Sequence, residues 1–289
     1  KAIPVTLEGF TGETLALLKF DLFVQGFEFV DKAKAQFTIK GTNSGGINGA
    51  VYDHVKREYI LNKRYQGGSL RRQAHTFANN AVEAITGSPG IGLTKIAFRQ
   101  FHGRDTEIHV ADFDGHNAKR LTRDNSIAAG PEWAPGNDTL FYYSYRRHNP
   151  DIYSHNVQTG VRRTVARYSG SNISPAVSPD GRRVAMVLSK AGSPDIWVGS
   201  ATGTGLRRLT TTKEAESSPC WSPDGRWICF ASRASSRTAL YKIPANGGAM
   251  SRIRTIGAFN ATEPDWSPDG KAIVFTTMRG GGVFEICIV

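Results

Sequence analysis

The sequence predicts two domains, a small α/β domain over residues 1–93 and an all-β propeller over residues 94–289. Three observations support this division. Helical periodicity is confined to the first 87 residues, a Ser-Pro-Asp-Gly motif recurs at intervals of 44 or 45 residues, and a second motif recurs in phase with the first. Units of about 44 residues that are rich in β-formers and turn residues are typical of propeller blades.

Two helices and several strands are predicted in the first domain. Ser69 is a suitable N-cap, apolar residues follow at helical spacing from Leu70 to Ile85, and Gly87 is placed to end the helix. Residues 13–25 form the other predicted helix. Short β-rich segments separated by Gly, Asn and Ser predict strands, which are residues 3–7, 27–30, 35–40, 50–54 and 59–65.

Two further features of this domain have structural explanations. Residues 41–46, Gly-Thr-Asn-Ser-Gly-Gly, are not followed by the Gly-Lys-Ser/Thr of a phosphate loop, and no helix begins there. A surface hairpin is therefore expected. His75 lies on the capped helix, where we expect it to be exposed or at an edge.

Two repeated motifs define the propeller units. The segment Pro-x-Trp-Ser-Pro-Asp-Gly is complete at residues 219–225 and 264–270, has Val in place of Trp at 175–181, and is degraded at 131–137, where it ends in Gly-Asn. The second motif is a polar or small residue followed by an aliphatic one, and its copies begin at Glu107, Asp151, Asp195, Ala239 and Glu285. Five units result, the first without its leading strand and the last ending after residues 285–289.

The Ser-Pro-Asp-Gly motif predicts a hairpin turn. Pro presets φ at about −65°, the Asp side chain can accept a hydrogen bond from the backbone downstream, and Gly takes the left-handed position. A calcium loop needs several oxygen ligands within about a dozen residues, which this motif lacks. The tryptophans before the turn, Trp133, Trp221 and Trp266, are expected to pack between neighbouring blades.

Composition and motifs exclude several function classes. The formal net charge is +11, but Lys and Arg are scattered along the chain, so no nucleic-acid partner is expected. No apolar run approaches the roughly 18 residues of a membrane helix. There is no Gly-x-Ser-x-Gly nucleophile motif, no His-Glu-x-x-His among the seven histidines, and only three cysteines. Accordingly, we expect no catalytic residue, no metal and no cofactor.

Several segments resemble the TolB family. In the first domain they are residues 63–71, the helix through residues 74–78, and residues 82–87, 90–91 and 94–98; in the second they are the Ser-Pro-Asp-Gly repeats and residues 206–210. The resemblance runs over nearly the whole chain, and the order of the domains agrees. It implies a non-enzymatic periplasmic scaffold of the Tol-Pal system that supports outer-membrane integrity and cell division. It also implies binding of the peptidoglycan-associated lipoprotein Pal at one mouth of the propeller.

The family pattern is not matched throughout. The family propeller has six blades and five units are recognisable here, so either the ring is smaller or the chain is a fragment. The family also carries an N-terminal extension that docks on TolA, whereas this chain begins almost at its first predicted strand, so TolA binding does not follow from the resemblance. We expect a monomer that reaches the membrane only through its partners.

A propeller without a catalytic constellation is expected to be a binding platform, because loops on rigid blades converge at the channel mouth. The loops that lead into the Pro-x-Trp strands vary, and the resemblance implies that they face Pal. The expected interface residues are Asn125, Ser126, Ser171, Asn172, Glu216, Ser217, Asn260, Thr262 and Glu263. Each could instead be an ordinary turn residue on a solvated loop.

Two other functions remain open from the sequence. The chain could be the propeller module of a peptidase-like protein, although no hydrolase motif accompanies it. It could also be a glycan-binding propeller that stacks sugars on aromatic side chains, for which the candidates are Tyr142, Tyr143, Tyr145 and Tyr168.

Cys220 and Cys229 lie symmetrically about the turn of residues 223–226, which would place them opposite one another in a tight hairpin. A cross-strand disulfide is therefore a hypothesis for an oxidising compartment.

Overall fold

The computed structural model describes residues 2–136, 138–234, 237–279 and 282–289. Asn137, the last residue of the degraded turn copy, lies outside the described residues. The chain forms two compact units. Unit 1 comprises Lys1–Ile96 and Ala111–Ala118, and unit 2 comprises Ala97–Val110 and Lys119–Val289.

Unit 1 is a five-stranded sheet with two α-helices. Its elements are β1 (Ile3–Glu8), α1 (Gly12–Val24), β2 (Phe27–Phe29), a short 3-10 helix (Lys32–Lys34), β3 (Phe37–Thr42), β4 (Ile47–Asp53), β5 (Glu58–Tyr65) and α2 (Leu70–Thr86). The strand order is β2-β1-β3-β4-β5, with β1 parallel to β2 and β3 and the other pairs antiparallel. The predicted helices and strands are confirmed, with ends that shift by up to three residues.

Both ends of α2 follow from the sequence. The Ser69 hydroxyl accepts a hydrogen bond from the backbone N–H of Arg72 at 3.2 Å, and Gly87 ends the helix in the left-handed conformation at φ 74°. The core lies between the helices and the sheet, since every second residue of β4 is buried. Gly49 of β4 is required there, because a Cβ atom would lie 2.4 Å from the Phe77 ring.

The predicted surface hairpin at residues 41–46 is also confirmed. Residues 41 and 42 end β3, β4 begins at Ile47 and pairs with β3 in antiparallel register, and Gly45 and Gly46 take positive φ in the turn.

The expectation for His75 was wrong, because this residue is only 5% exposed. Its Nδ1 lies 2.7 Å from Oδ2 of Asp21, which α1 buries completely, and its Nε2 lies 3.3 Å from Oδ2 of Asp114. Arg71 also pairs with Asp114. Helical periodicity assigns polar residues to the solvent side of a helix. It does not show whether a carboxylate on another element lies close enough to pair with one of them.

The repeat region forms five β-sheet blades. Blades 1 and 5 have three strands each: blade 1 contains β6 (Lys95–His102), β7 (Asp105–Asp112) and β8 (Lys119–Arg120), and blade 5 contains β21 (Ala261–Trp266), β22 (Ile273–Arg279) and β23 (Val283–Ile288). Blades 2 to 4 have four strands each. Blade 2 contains β9 (Ala128–Trp133), β10 (Thr139–Arg147), β11 (Asn149–Asn156) and β12 (Arg162–Ala166). Blade 3 contains β13 (Asn172–Val177), β14 (Arg183–Leu188), β15 (Asp195–Ser200) and β16 (Arg207–Arg208). Blade 4 contains β17 (Glu216–Trp221), β18 (Trp227–Ser232), β19 (Ala239–Pro244) and β20 (Ser251–Arg252). Neighbouring strands are consecutive in the chain, which confirms the predicted propeller of five units.

The first strands of blades 2 to 5 surround the propeller axis, because β9, β13, β17 and β21 contact one another in turn. Each of them contains a β-bulge at the position before its proline. The residues at this position, Gly130, Ser174, Ser218 and Glu263, have φ of 62°, 51°, 50° and 51°. Three of the four repeats thus hold a side chain in a conformation that favours glycine.

The Ser-Pro-Asp-Gly motif forms the predicted turn. In blade 4 the Ser222 hydroxyl donates to the Asp224 carboxylate at 2.6 Å, the same carboxylate oxygen accepts from the backbone N–H of Arg226, and Gly225 takes φ 68°. These bonds lower the pKa of Asp224 to about 2. The copies at Ser178 and Ser267 repeat the arrangement. The carboxylate therefore serves as the acceptor that organises the turn.

Packing between blades involves the repeated tryptophans. Trp221 of blade 4 is 7% exposed and donates its indole N–H to the Ala176 carbonyl of blade 3 at 2.9 Å. Trp133 and Trp266 are partly buried against their own apolar clusters. The prediction that these rings pack in the propeller core is confirmed for the described residues.

Candidate functional site

The connections between strands fall at two ends of the propeller. In a meander of antiparallel strands, successive connections alternate between the ends. The connections from the second to the third strand of each blade, and from one blade to the next, share one end, which we call the rim. The Ser-Pro-Asp-Gly turns lie at the other, the turn end. Hydrogen bonds join the two kinds of rim connection, as from the Ser193 hydroxyl to the Thr212 carbonyl at 3.3 Å.

The nine residues predicted as an interface all lie in or beside the connections of the rim. Two of them, Asn172 and Glu216, are almost completely buried. The Asn172 amide accepts from the backbone N–H of Tyr168 at 2.9 Å and donates to the carbonyls of Tyr168 and Pro150. Asn172 thereby ties the connection at residues 167–171 to the hairpin of blade 2.

Glu216 has the same kind of role one blade further. Its carboxylate accepts hydrogen bonds from the hydroxyls of Thr210 at 2.9 Å, Thr212 at 2.6 Å and Ser232 at 3.0 Å. Burial raises the pKa of Glu216, and the three hydroxyl groups offset part of that rise. The carboxylate fixes the connection at residues 209–215 against β18.

The second repeated motif also proves to be structural. Glu107 is fully buried and accepts from Arg120 Nη2 at 2.6 Å, from the Thr122 hydroxyl, and from the backbone N–H groups of Asp124 and Asn125 at 2.9 and 3.0 Å. Burial favours a higher pKa, but these donors outweigh it and lower the pKa of Glu107.

In blade 3 the residue equivalent to Glu107 is Asp195, which pairs with Arg208 at 2.7 Å. The acid that begins the second motif therefore anchors a connection of the rim in these two blades.

Seven predicted residues remain at least partly exposed. Asn125, at φ 49°, and Glu263 are the exposed ones, and the partly exposed ones are Ser126, Ser171, Ser217, Asn260 and Thr262. Asn260 accepts from the backbone N–H of Thr238 at 3.3 Å, and Glu263 accepts from the Thr276 hydroxyl at 3.2 Å. Those in the connections before blades 2, 3 and 4 stand on backbone that Glu107, Asn172 and Glu216 hold, which preorganises them for a partner.

Sequence reasoning missed one pair at the rim. The side chain of Asp124, beside the predicted Asn125, is 4% exposed and accepts two hydrogen bonds from Arg162 of β12, while the Ser144 hydroxyl donates to it at 2.6 Å. The Arg162 guanidinium also lies 4.1 Å from the centre of the Tyr153 ring. No local pattern links Asp124 to Arg162, which is 38 residues further along.

The tyrosines considered for sugar stacking are only partly available. Tyr142 is fully buried, and the Lys190 ammonium covers the Tyr168 ring at 3.9 Å from its centre. Tyr145 is 36% exposed and packs edge-on against Tyr143. The four rings do not form one open platform of the kind that stacks a sugar.

Two of the strands around the axis have a carboxylate directly after the repeated proline. Glu132 of β9 and Asp265 of β21 hold equivalent positions in the Pro-x-Trp segments of blades 2 and 5. Burial, and secondarily the charge of Asp265, raise the pKa of Glu132 to about 7, and burial raises the pKa of Asp265. Cys220 holds the same position in blade 4 and pairs in register with Cys229. Both thiols are free, so the disulfide remains a hypothesis.

Within the described ranges, no group of three or more His, Cys, Asp or Glu side chains is placed to hold a metal ion. No helix in the part of the chain that the structure describes is long and apolar enough to cross a membrane.

The fold defines the class of protein, a β-propeller of Ser-Pro-Asp-Gly blades preceded by a small α/β domain. The family model described as TolB beta propeller domain matches residues 82–289. The chain therefore belongs to the TolB β-propeller family.

Similar proteins agree with this assignment. Tol-Pal system protein TolB of Desulfosudis oleivorans is 36% identical over 183 residues, which are 61% of this chain and 42% of the relative. Tol-Pal system protein TolB of Bordetella pertussis is 34% identical over 223 residues, 74% of this chain and 51% of the relative. The chain thus spans about half the length of these relatives. The crystal structure of TolB from Acinetobacter baumannii superposes with a TM-score of 0.86 at 22% identity, covering 100% of this chain and 80% of that one, which shows the same fold.

Proposed function

We propose that this chain is a non-enzymatic, periplasmic component of a Tol-Pal system and that its rim binds the lipoprotein Pal, in support of outer-membrane integrity and cell division. The observation that carries the proposal is the way buried polar groups hold the rim. Glu107, Asn172 and Glu216 anchor three successive connections through hydrogen bonds to the backbone or to hydroxyl groups. Neighbouring residues such as Asn125 are left exposed.

This arrangement suits binding better than catalysis. The buried carboxylates are occupied by internal donors, and the exposed rim residues that the structure describes are not arranged as a nucleophile beside a base. A preorganised rim avoids part of the entropy cost of ordering loops on association. Family membership points to the Tol-Pal system, because the relatives that match are named as its TolB proteins.

Titration calorimetry with the soluble domain of Pal from the same source tests the proposal. The informative variant is Thr262→Ala with Glu263→Ala, which changes two rim residues that are partly or fully exposed. We expect saturable binding by the unchanged chain and weakening by roughly 10-fold in the variant, as for loss of two peripheral contacts.

A matched control uses the other end of the propeller. Gln158→Ala with Thr202→Ala changes two exposed residues near the turn end and should leave the affinity unchanged within about 2-fold. Equal weakening by both double variants would refute the rim as the binding surface. Absence of binding by a folded, monomeric sample would refute Pal as the partner.

A further inference from the structure

Exposed cations collect at the rim, which the linear sequence does not reveal. The rim connections of the described chain contain eight Lys and Arg residues, all exposed, which are Arg104, Arg123, Arg167, Lys190, Lys213, Arg233, Arg237 and Arg254. The tip of the β10–β11 hairpin adds Arg146 and Arg147. The same connections contain two acidic residues, Asp124 and Glu214, and the adjoining strand β21 adds the exposed Glu263. Every one of the first four blades contributes at least one cation.

The turn end does not share this excess. Its described turns between first and second strands carry acids and cations in nearly equal number, which are Asp138, Asp180, Asp224 and Asp269 against Arg182, Arg226 and Lys271. Arg226 and Lys271 each lie within 4.0 Å of the Asp of their own turn. The positive field of unit 2 is therefore polarised along the propeller axis.

Three buried carboxylates at the rim are paired with arginines inside the blades, so they cancel only part of the exposed positive charge. Asp124 is paired with Arg162, Glu107 with Arg120 and Asp195 with Arg208. The partner arginines are only 16 to 29% exposed, so these pairs belong to the interior of the blades. Two of the ten exposed cations also approach buried carboxylates, Arg146 at 4.0 Å from Asp124 and Arg167 at 3.8 Å from Asp151. The rim still carries more exposed cations than exposed acids.

Apolar side chains are interspersed among these cations. Ile256 is 86% exposed and Phe259 is 47% exposed in the connection that precedes blade 5, and the Arg237 guanidinium lies 4.0 Å from the centre of the Phe259 ring. Ile127, 42% exposed, occupies the connection that precedes blade 2. A mixture of arginine, aromatic and aliphatic side chains is typical of surfaces that bind proteins.

We propose that the rim recognises an acidic surface or segment of its protein partner, with carboxylates meeting the ring of cations and apolar groups meeting Ile256 and Phe259. The inference rests on the proposed function and adds the chemistry of the partner. The cations are distributed around separate blades and do not follow one stripe, an arrangement that suits a compact partner at the mouth better than the phosphate backbone of a nucleic acid.

Neutralising three cations at one end of the propeller or at the other distinguishes an effect of the rim charge from an effect of the net charge of the chain. One variant combines Arg123→Gln, Arg233→Gln and Arg254→Gln; its control combines Arg182→Gln, Arg226→Gln and Lys271→Gln, which removes the same charge from the turn end. Calorimetry with the soluble domain of Pal at low salt should show about 10-fold weaker binding for the rim variant and under about 2-fold change for the control. Equal changes in both, or no change in either while Pal still binds, would overturn the inference.

A second experiment tests whether the rim binds acidic segments independently of whether the partner is Pal. A fluorescent peptide of alternating Glu and Leu is titrated by anisotropy, beside a peptide in which Gln replaces Glu. Binding of the Glu peptide alone, weakened by the rim variant and by salt, supports the inference even if Pal fails to bind. Equal binding of both peptides would overturn it. So would an oligothymidylate that binds more tightly than the Glu peptide and loses affinity in the rim variant, because the surface would then be a nucleic-acid site.

Discussion

The Arg162 guanidinium donates two hydrogen bonds, each of 2.7 Å, to the two carboxylate oxygens of Asp124. Asp124 belongs to the connection that precedes blade 2, and Arg162 begins the last strand of that blade. The Asp124 side chain is 4% exposed and the Arg162 side chain is 16% exposed. This pair therefore couples a connection at the rim to the outer strand of the next blade in a largely dehydrated setting.

Replacing Asp124 by Asn should destabilise the chain by about 2–3 kcal/mol, because Arg162 would keep its buried charge without a countercharge. Arg162→Lys should cost less, about 1 kcal/mol, since it keeps the charge and loses the second hydrogen bond. Denaturant unfolding of the three proteins measures both values. A loss below about 0.5 kcal/mol for Asp124→Asn would show that the pair does not hold the connection.

The axis acids predict a pH dependence of stability. Glu132 has a pKa of about 7 in the folded chain, against an ordinary value of 4.5, because it is buried near Asp265. Between these two pKa values the folded state retains a proton that the unfolded state has released, so the free energy of unfolding falls as the pH rises. The contribution of Glu132 to stability is therefore complete below pH 4.5 and is lost as the pH rises through about 7.

Glu132→Gln should remove that dependence and make the chain more stable than the unchanged protein above pH 7, by roughly 2–3 kcal/mol. Urea unfolding of both proteins from pH 5 to 8 gives the difference curve. A flat difference over this range would contradict the account. Asp265→Asn serves as a companion, since it should lower the pKa of Glu132 by removing the neighbouring charge.

The bulge before the repeated proline predicts a stabilising substitution. Ser218 has φ 50°, and the equivalent residue of blade 2 is Gly130. Ser218→Gly should raise the free energy of unfolding by about 0.5–1 kcal/mol, because the strain of the left-handed conformation exceeds the entropy cost of glycine. Ser217→Gly, one residue earlier in the same strand, should lower it. Stabilities that change in the same direction would contradict the assignment of strain to Ser218.

The paired cysteines predict a defined redox product. Cys220 and Cys229 lie opposite each other in register, and the pKa of the Cys220 thiol is raised by its hydrogen bond to Cys229 and by burial. Oxidised glutathione should accept two electrons from this pair, leaving Cys287 as the single thiol that titrates after denaturation without reductant. The Cys229→Ser variant should keep both of its thiols. Three thiols in the treated, unchanged chain would rule out the cross-strand bond.

The repeat structure could be predicted from the sequence because each turn depends on residues that are close together in the chain. Ser222, Asp224 and Gly225 make their turn within four residues, and Ser69 and Gly87 end α2 through neighbouring backbone groups. Such features are encoded where they occur in the chain. The phase of the repeats then fixes the number of blades.

Features that depend on distant contacts were not accessible in the same way. Helical spacing predicts an exposed His75, whereas its side chain contacts Asp21, 54 residues earlier in the chain. Glu216 was expected to face a partner but faces Thr210, Thr212 and Ser232 instead. A loop position in a sequence does not reveal whether a polar side chain points outward or supports the loop from within.

The claim that the rim is the working surface is tested most directly by hydrogen–deuterium exchange of the chain with and without the soluble domain of Pal. The account predicts slower exchange at the connections of residues 121–127, 209–215 and 253–260 in the complex, and unchanged exchange at the turns of residues 178–182 and 222–226. Protection confined to those turns or to unit 1, with the rim connections unaffected, would contradict it.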